Sequence, residues 1–144
     1  MSPHSPVEDQ ELLYRAVPDN PDFIRNDGGK VRISSTAFND PKMEPSVDRA
    51  NLCEYKPKYT RRGDGGVLSL IAKDIRDIPP TTHGKTGKDF TADIKPDPLP
   101  GNSAHALIFV HPDECTPGVF DRIKKALSRI ARIELYPVSL QEID

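Results

Sequence analysis

The chain has 144 residues, a formal net charge of −2, and a hydrophobic content of 35%. That length carries one domain with its own core, while the near-neutral charge excludes a broad electrostatic footprint for nucleic acid or an acidic membrane surface. The 15 prolines run at about twice the roughly 5% of average proteins, which predicts much irregular chain around a modest core.

Residues 1–8 are polar, carry two prolines and are expected to form a flexible tail, leaving 9–144 as a single domain. "ELLYRAV", Glu11 to Val17, predicts the first strand, because the run is brief and the turn-forming "PDNPD" follows it. Leu13, Arg15 and Val17 then share one face, with Leu12, Tyr14 and Ala16 on the other. "NDGG" predicts a turn, and "KVRISSTAF" a strand followed by a bend. "NDPKMEPSVDRANL" predicts a wrapping loop with a short extended piece at "PSVD". "EYKPKYTRRGDGG" reads as a solvated polar and basic excursion, with a partner contact through Tyr55, Tyr59, Arg61 and Arg62 as the alternative.

"GVLSLIAKDIRDI" changes character midway. Val67 to Ile71 predicts a buried strand, and Ala72 to Ile78 one or two helical turns with Ile71, Ile75 and Ile78 at helical spacing. Pro79 and Pro80 end it. "TTHGKTGKD" predicts a mobile polar loop, whereas "FTADI" and "AHALIFVHP" predict strands. Thr116 is a good N-cap and Pro117 suits the first helical position. Phe120, Ile123, Leu127 and Ile130 follow at spacings of three and four, marking one apolar helix face. "IELYPV" ends the pattern as a short strand or an extended tail. The sum is an α+β fold: a small, mostly antiparallel sheet, one C-terminal amphipathic helix packed on it, and long Pro-rich loops.

Cys53 and Cys115 form no CxxC pair, and two free thiols in a reducing cytosol is the plainer reading, with a bridge as the alternative. No basic start leads into an apolar run, and no apolar stretch approaches the roughly 20 residues that span a bilayer. A soluble, cytoplasmic protein with no membrane partner is expected. "GKTGKDF" lacks the GxxxxGK[ST] frame of a phosphate-binding loop. The four histidines show no HExxH or paired Cys/His spacing, so neither a metal nor a cofactor is implied. The basic helix residues read as a solvated face rather than a nucleic-acid surface.

Polar residues remain at strand starts and bends: Arg15, Ser34, Ser35, Ser46, Asp48, Asp97, Asn102 and His105. They fall in "LLYRAV", "SSTAF", "PSVD" and "PLPGNSAHALIFV". In that order these segments resemble a family of short, uncharacterised bacterial proteins with LLRR or LYRR, SSAAF, LSVD and PLPDNPAHA motifs. The resemblance runs from Leu12 to Val110. Gly101, Ser103 and Ala16 depart from it, and Thr81 to Asp89 reads as an insertion. It implies a site at these motifs and an association with bacterial accessory and conflict loci.

Two readings of these residues stand side by side. In one, His105 bonds a turn carbonyl or Asp97 and clips the proline-rich loop to the sheet, while Ser35, Asp48, Asp97 and Asn102 serve caps and turns. In the other, Arg15, Ser35, Asp48 and His105 converge on one cleft, combining a fixed cation, hydrogen-bonding groups and an imidazole that titrates near neutrality. The expected function is a small cytosolic bacterial accessory protein, in a conflict or defence setting, that binds a protein partner or a small ligand. The alternative is an enzyme acting on a nucleotide-like or phosphorylated substrate. An "LYR" strand followed by a Ser-rich "SSTAF" strand resembles the ADP-ribosyltransferase arrangement by analogy alone.

Overall fold

The computed structural model describes residues 2–141. Strands β1 (Leu12–Val17), β2 (Ile24–Asp27), β3 (Lys30–Ile33), β4 (Ser46–Arg49) and β5 (Gly66–Ile71) lead directly into a short helix, α1 (Ala72–Arg76). Strands β6 (Thr81–Thr82), β7 (Asp89–Pro96) and β8 (His105–His111) follow, then the long helix α2 (Pro117–Ile130) and β9 (Arg132–Leu135). Seven of the strands form one sheet in the order β6-β7-β8-β4-β1-β5-β9, every neighbouring pair antiparallel. β2 and β3 make a separate hairpin whose turn uses Gly28 and Gly29 at positive φ, a conformation that costs glycine little. The fold is α+β and mostly sheet.

One face of the sheet carries the main core. Leu13 and Val17 of β1, Leu68 and Leu70 of β5, Ile94 of β7 and Ile108 of β8 pack with Val119, Ile123 and Leu127 of α2. Burying such side chains stabilises by about 1.5–3 kcal/mol each, so α2 is integral to the domain. The helix starts as expected: the Thr116 hydroxyl accepts from the Val119 N–H at 3.3 Å, and Pro117 occupies the first turn. The opposite face holds a smaller cluster of Tyr14, Ala50 and Val67. Alternation along β1 thus divides its side chains between two apolar environments.

Four expectations change. The "PSVD" segment is extended as expected, but it forms the central strand β4, hydrogen-bonded to β1 on one side and β8 on the other, rather than an isolated piece within a loop. Arg49, at its end, is fully buried, and its guanidinium meets the Glu11 carboxylate at 2.8 Å through both Nε and NH2. The same guanidinium donates to the backbone carbonyls of Pro3, Ser5 and Pro6. The segment read as a flexible tail is therefore tied to the sheet by Arg49, and Val7 joins the main core. Met1 and residues 142–144 lie outside the described residues.

Ile71 does not share a face with Ile75 and Ile78. It closes β5 and is 42% exposed, while the other two are buried. Strand geometry sets its direction, and the helical period begins one residue later. Within the expected mobile loop, Thr81 and Thr82 pair with Phe90 and Asp89, and Arg122 of α2 donates to the Thr82 carbonyl at 2.8 Å. Cys53 and Cys115 are both free thiols. Among the described residues no helix is long and apolar enough to cross a membrane.

Candidate functional site

Strand register places the polar residues. Asp48 of β4 lies opposite Tyr14 of β1 and opposite His105 of β8. Paired residues point to the same side of a sheet, so these three share the face that α2 does not cover. A cleft of about 300 Å³ opens there, lined by Tyr14, Arg15, Ser46, Asp48, Thr60, Arg62 and His105 among others.

Arg15 belongs by alternation with Leu13 and Val17, yet its guanidinium reaches round the start of β4. Nε donates to the Ala37 carbonyl at 3.0 Å, NH1 to the Ser46 carbonyl at 2.9 Å, and NH2 to the Asn39 carbonyl at 3.1 Å. The Phe38 ring lies 6.0 Å away. Among the described residues no carboxylate forms an ion pair with it. Burial pushes its pKa down to about 10; the charge of Asp40 opposes that shift and the charge of Arg62 adds to it. The group still carries its proton at neutral pH. It is a cation held in place by dipoles.

His105 is fixed from behind. Its Nδ1 lies 2.9 Å from the backbone carbonyl of Asp97 and 3.1 Å from the Asp97 carboxylate. A carbonyl oxygen only accepts, so Nδ1 carries the hydrogen and, in the neutral ring, Nε2 is the acceptor. The expected clip over the proline-rich loop is present. Asp48 is held just as firmly: Asn102 donates to one carboxylate oxygen at 2.9 Å and the Thr60 hydroxyl to the other at 2.7 Å. It is 9% exposed and acts as a wall whose oxygens are already engaged.

Of the four residues expected to converge, Arg15, Asp48 and His105 do so. Ser35 does not. "STAF" is a 3-10 turn, Ser35–Phe38, rather than a Ser-rich strand, with the Ser34 hydroxyl capping it by accepting from the Thr36 N–H. Serine bonds local backbone as readily as it sits in a strand, and here the turn wins. The turn serves the site indirectly, through the Ala37 and Asn39 carbonyls that hold Arg15. Ser46 lines the cleft in its place. Asp97 and Asn102 stand behind it as supports of His105 and Asp48. Thr60 is not singled out by the sequence, because the excursion that supplies it reads as solvated loop; Arg62 belongs to the alternative reading of that excursion as a partner-contacting surface, and it lines the cleft.

Among the described residues no group of three or more His, Cys, Asp and Glu side chains is placed to hold a metal ion. No family model, no curated protein and no solved structure matches the chain.

Proposed function

We propose that the protein is a small accessory protein that binds a small anionic ligand in the Arg15 cleft. The sequence resemblance supports a bacterial conflict or defence setting for it. The observation that carries the reading is Arg15 itself, a half-buried guanidinium beside a cavity, compensated by three backbone carbonyls and by no ion-paired carboxylate. A charge partly withdrawn from water is stabilised when an opposite charge joins it. An anion entering the cleft supplies that charge, and the exposed Arg62 at the rim adds a second cation. Asp48 does not fill the role, since both its oxygens are bound elsewhere.

Isothermal titration with phosphate, sulfate and carboxylate compounds tests this reading. Saturable, salt-sensitive binding is expected. Arg15→Lys keeps the charge but loses the planar fork, and a fall in affinity of about tenfold or more is expected of it. Unchanged affinity in folded Arg15→Lys protein overturns the reading. A second reading, catalysis on a phosphorylated or nucleotide-like substrate, is favoured by one observation: His105 is backed by Asp97 in the manner of a general base with its orienting carboxylate.

A further inference from the structure

We infer that the anion taken by this cleft is a phosphate with a titratable proton, free or as a monoester, and that His105 binds it as a proton acceptor. The inference rests on the anion-binding reading above and names its ligand. The Asp97 carbonyl fixes the hydrogen on Nδ1, so Nε2 is the unprotonated edge of the ring, and no described residue bonds it. His105 lines the same cleft as Arg15. The site thus offers a permanent cation and a base together.

A sulfate ester or a carboxylate near neutral pH has no proton to give such a base. A phosphate monoester does, because its second ionisation lies near pH 6. The monoanion can pass its proton from the P–O–H oxygen to Nε2, leaving a dianion between imidazolium and guanidinium. No bond to phosphorus changes in that step. The charged groups around the ring are consistent with it. Asp97 from the loop before β8 and Asp48 from β4 are the anions. Arg15 from β1 and Arg62 from the loop after Thr60 are the cations. Tyr14, Thr60 and Asn102 are the neutral neighbours.

The test is a proton count on the wild-type protein. Phenyl phosphate and inorganic phosphate are titrated calorimetrically at about pH 8 in buffers of different ionisation enthalpy, with phenyl sulfate for comparison. At that pH the free phosphates are dianions, so uptake of about one proton per ligand bound is expected. Affinity should then fall about tenfold per pH unit on the alkaline side, as linkage of one proton requires. Phenyl sulfate, whose single charge draws a proton onto the ring less strongly than a dianion does, should bind with clearly less uptake. His105→Gln, checked for folding by circular dichroism, should bind phosphate without uptake and with a flat pH profile over that range.

Tighter binding of the ester assigns the site to a phosphorylated organic molecule, and tighter binding of inorganic phosphate to the free anion; both support the inference. Phosphate binding without proton uptake overturns it while leaving the anion cleft intact. Failure of every anion to bind overturns the cleft reading itself.

Discussion

Asp97 and His105 hold each other at three points. The Asp97 N–H donates to the His105 carbonyl at 3.0 Å, Nδ1 of the ring returns a bond to the Asp97 carbonyl at 2.9 Å, and the Asp97 carboxylate lies 3.1 Å from Nδ1. Two of these contacts belong to the side chain of His105. Replacing it with alanine is expected to lower stability by about 0.5–1.5 kcal/mol, the usual net worth of such bonds. Urea unfolding measures that loss. A stability equal to wild type shows that the ring does not secure the loop.

The ion pair of Glu11 and Arg49 is more consequential, because neither side chain has appreciable contact with water. Glu11→Gln leaves a buried guanidinium without its charge partner and is expected to cost about 3–5 kcal/mol. Replacing both with apolar residues should cost less than the sum of the two single changes. The pair also sets an acid limit. Burial alone raises the Glu11 pKa, but the hydrogen bonds from Arg49 and the Glu8 N–H, with the charge of Arg49, bring it below its ordinary value. Its contribution is therefore complete above pH 4.5, the ordinary value, and is lost as pH falls through the lower folded value. Urea midpoints followed downward in pH should fall in wild type and lose this component in Glu11→Gln.

Gly65 faces the backbone of Val17 so closely that an added Cβ collides with the Val17 carbonyl. Gly65→Ala is expected to destabilise by about 1–3 kcal/mol, as overpacking does. Gly84 has open space around it and no positive φ, so Gly84→Ala should stay within about 0.5 kcal/mol of wild type. Thermal melts of the two variants form a matched comparison.

Two changes in α2 separate its cap from its packing. Thr116→Ala removes the bond to the Val119 N–H and is expected to cost about 1 kcal/mol. Leu127→Ala, at a fully buried position, is expected to cost about 2–5 kcal/mol. Deleting residues 116–144 should abolish cooperative unfolding, which calorimetry reads directly; retained cooperativity would show the sheet to be stable without its helix.

Much of this fold is legible in the sequence because its cause is local. β1, β5, β7, β8 and α2 each carry an apolar period of their own. β4 carries none: its core-facing positions are Val47 and Arg49, and an arginine reads as solvent until Glu11 is seen beside it. That pairing spans the chain and leaves no mark on neighbouring residues. The site divides in the same way. Arg15, Asp48 and His105 interrupt strands where an apolar residue would be ordinary, so they stand out. Thr60 and Arg62 arrive by the path of a loop, which spacing does not encode. Ser34 and Ser35 drew attention by residue type alone, and the turn they make is a local preference of serine.

The order of strands has a consequence for synthesis. β4 lies between β1, made early, and β8, made after two-thirds of the chain. Until residues 105–130 have emerged from the ribosome, β4 has one bare edge and the apolar face that α2 will cover lies open. Pairings between distant segments form slowly, and unpaired edges with exposed apolar surface invite association with other chains. The nascent protein therefore passes through a vulnerable interval that ends when β8 and α2 emerge. A slow supply of β8 and α2 lengthens that interval, whatever the stability of the finished sheet.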